Sequence, residues 1–335
     1  MNDFPFVSII IPCRNEEKYI GKCLDSVISQ DFPKENLEVL AVNGASADKT
    51  KEIVQSYAAK YPFIKLLENP KKYTSFGLNI GLKASRGAVI LRMDSHAGYE
   101  KDYISKCVKY LQESDADNVG GVIETLPSKD TISAKAIALV LSHPFGAAGS
   151  HFRVGSDAPR FVDTVFCGCY KREVFDKIGF FNENLIRSQD IEFNKRLKDA
   201  GGRILLVPEI KACYYPQATL GNFLKHNFLD GTWTIYPLKF GIRIFSWRHL
   251  IPLAFISVLL ISGILGIFLS FSSNLFFFIL GIYFLASIIF SLQIIIKEKY
   301  PKLFVILPVA FASRHFGYGL GSLFGLIKIL MIWQD

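Results

Sequence analysis

Between His249 and Lys297 this chain carries no charged side chain, and Phe, Leu and Ile dominate the interval. Leu250–Phe271 and Leu275–Ile296 are each long enough, as helices, to cross a hydrocarbon core about 30 Å thick. Ser272-Ser273-Asn274 is expected to make the tight turn between them. A hairpin of buried core helices would also be apolar, but two uninterrupted runs of this length favour a membrane. Basic residues flank the hairpin, Lys239, Arg243 and Arg248 before it and Lys297, Lys299 and Lys302 after it, which predicts that both ends face the cytoplasm and anionic lipid. Phe240–Trp247 can lie in the interface with its apolar side among the headgroups. The last apolar run, Leu303–Trp333, contains Arg314-His315, and a cation facing lipid is costly. That run either crosses with Arg314 turned to protein or a watery groove, or stays near the cytoplasmic surface. Gly317, Gly319, Gly321 and Gly325 permit close helix packing in both cases.

The remainder of the 335 residues has an ordinary charged surface and room for a soluble domain. The expected division is a soluble domain over 1–237, an interfacial segment over 238–248, and a membrane domain of two or three apolar helices over 249–335. Met1-Asn2-Asp3-Phe4-Pro5 leads into a strand without a secretory leader. Six cysteines (13, 23, 107, 167, 169, 213) show no disulfide or zinc spacing, which predicts reduced thiols in the cytoplasm. The net charge of +8 is scattered, with no dense basic run, so nucleic acid is not an expected partner.

Strands and helices alternate through the first hundred residues. Val7–Pro12, Leu37–Val42, Ile64–Leu67 and 88–93 read as strands, with helices carrying Ile20, Leu24 and Val27, then Ile53 and Val54, then Asn79–Ala84 between them. Ser46 or Asp48 can cap the second helix. This pattern predicts an α/β fold, a Rossmann-like and mostly parallel sheet with helices on both faces. No Gly-x-Gly-x-x-Gly follows the first strand, which argues against a dinucleotide site. Polar groups stand at three strand ends: Asn15/Glu16, Asn43/Asp48 and Asp94/His96. Ligands of open α/β sheets gather outside the carboxyl ends of strands. A carboxylate and an imidazole one residue apart can reach a divalent cation, and such a cation can hold a diphosphate. Unrelated surface turns are the alternative; convergence of three ends favours a nucleotide–metal cleft.

Val-Ser-Ile-Ile-Ile-Pro-Cys-Arg-Asn-Glu at 7–16, Val-Asn-Gly-Ala-Ser-Ala-Asp at 42–48 and Arg-Met-Asp-Ser-His-Ala at 92–97 resemble the opening motifs of family-2 glycosyltransferases, inverting enzymes with the GT-A fold. The Asp-x-His variant and Ser-Gln-Asp-Ile-Glu-Phe-Asn-Lys-Arg-Leu at 188–197 are most similar to the succinoglycan-biosynthesis branch, and the likeness covers about residues 5–235. It implies that Pro12, Arg14 and Glu16 line the base and ribose, that Asp48 closes the second motif, and that Arg92 and Asp94 meet the donor. Asp94 and His96 would hold Mn2+ or Mg2+, and Asp190 would be the catalytic base. Asn43 stands where the family usually has an Asp; an amide still hydrogen-bonds but carries no charge, which leaves the donor base open and allows weak activity. His96 in place of a second Asp favours manganese.

Gly168 is expected to floor a sugar pocket, where the ligand must approach backbone. Ser188 is expected to cap a helix whose first turn holds Asp190 and Glu192. Inversion needs one carboxylate to take the acceptor hydroxyl's proton, and a metal can replace an acid at the leaving group. His226 and Trp233 fall where relatives carry a mobile closing segment, although Trp233 equally suits a membrane interface. The small-residue stretch 145–160 reads as a flexible loop, and His143 and His151 have no evident partners. Arg314 would suit the phosphates of a lipid-linked acceptor.

Together these expectations describe a membrane-attached, multi-pass, metal-dependent glycosyltransferase on the cytoplasmic side of the cell membrane. It would move sugar from a nucleotide-sugar, UDP-linked, to a lipid-linked saccharide. The rival is a catalytically weak relative serving as a scaffold subunit. A channel would need more spans, and no Gln-x-x-Arg-Trp segment suggests processive synthesis.

Overall fold

The computed structural model describes residues 4–332, so the expectations placed on Met1–Asp3 and on Trp333 lie outside the described residues. Packing divides the chain into two units, one of residues up to 124 with His151–Tyr214, the other of Thr125–Ser150 with 215 onward. The division expected at 237 therefore falls earlier, and a segment from the middle of the chain joins the helical unit.

In chain order the elements are β1 (Val7–Cys13), α1 (Ile20–Ile28), β2 (Leu37–Asn43), α2 (Thr50–Lys60), β3 (Ile64–Glu68), α3 (Thr74–Ala84), β4 (Val89–Arg92), β5 (Ala97–Tyr99), α4 (Tyr103–Glu113) and β6 (Asn118–Thr125). Then come α5 (Ile132–Ser142), α6 (Pro144–Ala147), α7 (His151–Val154), β7 (Arg160–Phe161), β8 (Phe166–Lys171), α8 (Arg172–Ile178), α9 (Gln189–Asp199) and β9 (Ile204–Tyr214). The helices α10 (Leu220–Ile235), α11 (Trp247–Leu265), α12 (Ser270–Glu298) and α13 (Ile306–Ile332) follow.

Among the described residues, nine strands form one sheet in the order β3-β2-β1-β4-β8-β6-β9-β5, with β7 against β9. Pairing is parallel from β3 to β4 and antiparallel at β4–β8 and β6–β8, so the sheet is mixed. The reason is visible at residue 171: β8 returns beside β4, pairing Val89 with Lys171 and Leu91 with Cys169, without a crossover helix. Alternation along β1 and β2 sends Ile9, Ile11, Val39 and Ala41 to the α1 and α4 face. Ile10, Leu40 and Val42 go to the other face, against α3, α8 and α9. Both faces are thus apolar and covered, as the continuous hydrophobic runs require. Since β1 lies between β2 and β4, the chain direction of winding changes at the β1/β4 boundary, where a ligand crevice is expected.

All six cysteines are free, as the sequence implied. Five are buried, and burial pushes Cys13 up to about 12, with the Glu16 carboxylate adding to it, so these thiols are inert packing groups.

In the helical unit, α11 and α12 are long and apolar enough to cross a membrane. Their side chains are mostly outside the core, Ile264 at 62% and Phe271 at 81% exposure. The turn between them occupies residues 266–269, not Ser272–Asn274. Ser272 lies inside α12 and donates to the Ser262 carbonyl at 3.0 Å, while a Cβ at Gly266 would sit 2.9 Å from Ser273 Cα. Small residues here serve helix approach rather than chain reversal. The segment expected to be interfacial is a 3-10 turn over Tyr236–Phe240 and a left-handed Gly241, followed by the Ser246 cap of α11.

Gly231 and Thr232-Trp233, expected in a closing segment, are helical. They lie within the continuous helix α10, where a Cβ on Gly231 would meet the Tyr318 carbonyl of α13 at 2.0 Å. The stretch 145–160 also departs from expectation. His143 caps α6 by accepting from Phe145 N–H at 3.2 Å, and the Phe145 ring packs against Phe290, Phe311 and His315. His143 itself packs tilted against Phe290 and edge-on against Phe311.

Candidate active site

Two loops at the carboxyl ends of β1 and β2 are laced together. Asn15, in the left-handed region at φ 57°, accepts Ala47 N–H on Oδ1 at 2.8 Å and donates its own N–H to Ser46 Oγ at 3.0 Å. Left-handed backbone is tolerated by Asn because its short side chain bonds locally. Glu16 N–H donates to Thr50 Oγ1 at 2.7 Å, and Glu17 N–H to Asp48 Oδ2 at 3.1 Å. Asp48 also accepts from Thr50 N–H, at the start of α2, at 3.0 Å, while Lys49 occupies the helix's N-cap position. The burial of Asp48 is opposed by the Thr50 and Glu17 hydrogen bonds, which hold the carboxyl below its ordinary range. Asp48 is thus spent on Glu17 and on Thr50, whose hydroxyl in turn holds Glu16 N–H. Pro12 is half-buried and Arg14 exposed; a Cβ on Gly44 would fall 3.2 Å from Arg14 Cβ and 3.0 Å from the Lys72 carbonyl.

Asn43 is 2% exposed and fully engaged. Its Nδ2 donates to Glu68 Oε2 at 2.9 Å, and its Oδ1 accepts Ser46 N–H at 3.2 Å; Lys51 pairs with the other Glu68 oxygen at 2.9 Å. The amide at 43 therefore has a reason inside the fold: a carboxylate there would face Glu68. Asn43→Asp is expected to lose about 1–3 kcal/mol of stability, toward the lower end because Glu68 is half exposed and solvent screens it. Urea unfolding measures this, and unchanged stability would show that position 43 tolerates the charge.

At the next strand end, Arg92 closes β4 with its side chain 11% exposed. Its Nη2 donates to Asp94 Oδ1 at 2.7 Å, and its Nη1 lies 3.5 Å from Asp190 Oδ2. Burial opposes its charge, but the Asp94 carboxylate, with Asp190 assisting, holds the guanidinium above its ordinary value. Two carboxylates from distant segments thus converge on one cation. His96 places Nδ1 3.4 Å from Glu16 Oε1, yet the contact lacks hydrogen-bond geometry and this buried nitrogen has no hydrogen-bond partner. Burial would lower the imidazole, but Glu16 and then Asp94 outweigh it and raise it. Among the described residues no group of three or more His, Cys, Asp or Glu is arranged to hold a metal ion. The orphaned His96 Nδ1 stands two residues from the Asp94 carboxylate, and an oxygen–nitrogen donor set of that kind suits a borderline metal.

Asp190 lies in the first turn of α9, 34% exposed, with Oδ1 accepting Ile191 N–H at 2.9 Å. Ser188 precedes the helix but does not cap it: its backbone is left-handed, φ 59°, and its side chain makes no capping bond. Glu192 turns away into the core, 5% exposed, with Oε1 and Oε2 paired to Arg196 at 2.5 and 2.9 Å. Gly168 is buried, but its bare face is filled by the protein itself: a Cβ would meet Asn118 Oδ1 at 2.4 Å and the Tyr170 ring at 2.7 Å. Sheet packing, rather than an open sugar floor, accounts for that glycine.

One positioning group escaped sequence reasoning. The buried Tyr99 hydroxyl accepts Asp94 N–H at 2.7 Å and reaches the Asp94 carbonyl at 3.3 Å, fixing the backbone that presents Asp94. A Tyr in an otherwise buried strand implies a partner for its hydroxyl, and that was the available signal. His226, Trp233 and Arg314 belong to the helical unit. His226 pairs with Gln217 at 3.0 Å and Asp230 at 3.3 Å, and Trp233 packs edge-on against Tyr236.

A mixed α/β sheet with helices on both faces, carrying an Asp-x-His motif at one strand end and a second carboxylate beside it, defines a GT-A glycosyltransferase. Residues 8–179 match glycosyl transferase family 2, and the chain belongs to that family. It is 30% identical to the dolichyl N-acetyl-alpha-D-glucosaminyl phosphate 3-beta-D-2,3-diacetamido-2,3-dideoxy-beta-D-glucuronosyltransferase of Methanococcus voltae over 331 residues, 96% of this chain and 98% of that one. It is 28% identical to the succinoglycan biosynthesis protein ExoA of Rhizobium meliloti, covering 73% and 80% of the two chains. The mannosyltransferase PcManGT of Pyrobaculum calidifontis, solved with GDP-Man and Mn2+, shares the fold with a TM-score of 0.63 at 17% identity, over 98% of this chain and 88% of that one.

Proposed function

We propose that this enzyme transfers a sugar with inversion from a UDP-linked donor to a lipid-linked saccharide, in polysaccharide or glycan assembly at the cytoplasmic face of the cell membrane. The observation that carries the reading is the Arg92 bridge, which sets Asp94 and Asp190 on one guanidinium. Two carboxylates joined this way face the two ends of one reaction. Asp94 and His96 would hold a divalent cation, which when bound supplies charge neutralisation for the departing diphosphate. Asp190, one-third exposed and aligned by Ile191 N–H and Arg92, takes the proton from the acceptor hydroxyl as that oxygen attacks the anomeric carbon. Arg14 and Glu16, on the loop laced by Asn15 and Asp48, border the nucleotide. The lipid-linked acceptor is supported by the Methanococcus voltae relative, named for a dolichyl-linked acceptor. Membrane attachment is supported by the exposed apolar surfaces of α11 and α12 and by the lysines flanking them.

The test is a donor screen on the full-length chain in detergent, with UDP- and GDP-sugars, manganese and a membrane lipid extract, scored by nucleoside diphosphate release. One UDP-sugar is expected to be consumed, only with the lipid fraction present, and a chelator should stop the reaction. Consumption of GDP-sugars alone would replace the donor assignment; no lipid-dependent release from any donor would overturn the reading.

A further inference from the structure

We propose that Arg314 is the centre of a phosphate-binding site in the helical unit, and that it holds the phosphate of the membrane-borne acceptor; the second clause rests on the acceptor class proposed above. Three segments meet at this side chain. Its Nε donates to the Gly146 carbonyl at 3.2 Å, its Nη1 donates to Asn227 Oδ1 on α10, and its guanidinium carbon lies 5.7 Å from the centre of the Tyr318 ring. Gly317 makes the α10 contact possible, since a Cβ there would sit 3.2 Å from Asn227 Cβ and 3.0 Å from the Leu224 carbonyl.

Every group that holds Arg314 is neutral. Asn227 is fully buried, and its Nδ2 is already committed to the Phe223 carbonyl at 2.7 Å. The neighbouring His315 is engaged elsewhere: Nε2 donates to the Phe145 carbonyl at 2.9 Å, and Nδ1 lies 3.0 Å from Tyr283 Oη. Asp230, the acidic residue on α10, pairs with His226 at 3.3 Å. Arg314 makes no ion pair among the described residues, and its Nη2 makes no hydrogen bond among them. A cation drawn into an apolar helical unit and held by neutral acceptors alone retains a full charge to satisfy. The half-buried guanidinium still has donors free in the planar fork that suits phosphate oxygens.

Depth agrees with chemistry. The lysine-rich turn at 297–302 belongs in the headgroup layer, and α13 starts at Ile306. Arg314 lies two turns further, roughly 12 Å along the axis, in the half of α13 nearer that turn.

The competing role is a clamp that merely fastens the 145–146 turn to α13. Asn227→Asp separates the two, because it keeps an acceptor on Nη1 while supplying the missing counter-charge. The full-length chain in micelles is titrated calorimetrically with a short-chain polyprenyl monophosphate, the uncharged polyprenol and phosphatidylglycerol, and its thermal midpoint is recorded. Wild type should prefer the polyprenyl phosphate to the polyprenol by about tenfold to a hundredfold, and Arg314→Gln should erase that preference. Asn227→Asp should weaken phosphate binding by about tenfold while still unfolding in one cooperative transition, its midpoint set by the new pair with Arg314 against the lost bond to the Phe223 carbonyl. Wild-type-like phosphate affinity in Asn227→Asp would overturn the proposal, and that variant decides alone if Arg314→Gln does not fold. Phosphatidylglycerol competing as strongly as the polyprenyl phosphate would overturn the acceptor assignment and leave a bilayer phospholipid as the source. Lipid glycosylation by wild type, assayed separately, judges the proposed function on its own: transfer without Arg314-dependent binding sinks only this inference.

Discussion

Asp190→Asn is expected to bind the nucleotide-sugar almost as wild type does and to turn it over about 10²–10⁴-fold more slowly. The amide keeps the shape that accepts Ile191 N–H at 2.9 Å and lies 3.5 Å from Arg92, so the fold of α9 and the donor cleft should persist. What disappears is the only feature the reaction needs from that side chain, a lone pair that can take the acceptor's proton. A loss confined to kcat is the signature of an interaction made in the transition state alone. Calorimetry with the nucleoside diphosphate and steady-state turnover measure the two halves. Turnover within a few-fold of wild type would remove Asp190 from the base role, and Glu192 could not replace it, being buried in its pair with Arg196.

The second large effect concerns Asp94. Asp94→Asn keeps an oxygen for Arg92 but removes the charge that would face a cation, so manganese-dependent donor affinity should fall by about a hundredfold, or ~3 kcal/mol. The affinity measured without manganese should change far less. Asp94→Ala would add a stability loss of about 3–5 kcal/mol, because it breaks one arm of a buried ion pair. If Asp94→Asn bound the donor equally well with manganese, the cation would have to be held elsewhere or not at all.

How much of this was legible in the sequence depended on range. The parallel half of the sheet was readable because Val7–Cys13, Leu37–Asn43 and Val89–Arg92 are apolar runs with polar residues at their carboxyl ends. The antiparallel half was not: β5 and β7 are only three and two residues long, too short to leave a period. Arg92, Asp94 and Asp190 were legible as motif residues, but their junction on one guanidinium joins β4 to α9 through tertiary packing that no local pattern encodes. The same holds for Asn43, whose partner Glu68 lies one strand away. Small residues misled most. Ser272–Asn274 resembled a turn and the stretch around Trp233 a closing segment, whereas Ser272 and Gly231 both permit close helix contact. The apolar helix α5 gave no sign that 125–150 packs with the helical unit, since a buried helix looks the same in either core.

The central claim is inversion by one base at one anomeric carbon, and the configuration of the product tests it most directly. An α-linked UDP-sugar identified in the donor screen would be supplied with the lipid acceptor, and the linkage of the glycolipid read by proton NMR coupling at the anomeric position. The arrangement of Asp94, Arg92 and Asp190 predicts a β-linked product from that donor. An α-linked product would contradict it, because retention requires a nucleophile or a front-face path that a single base at Asp190 does not provide.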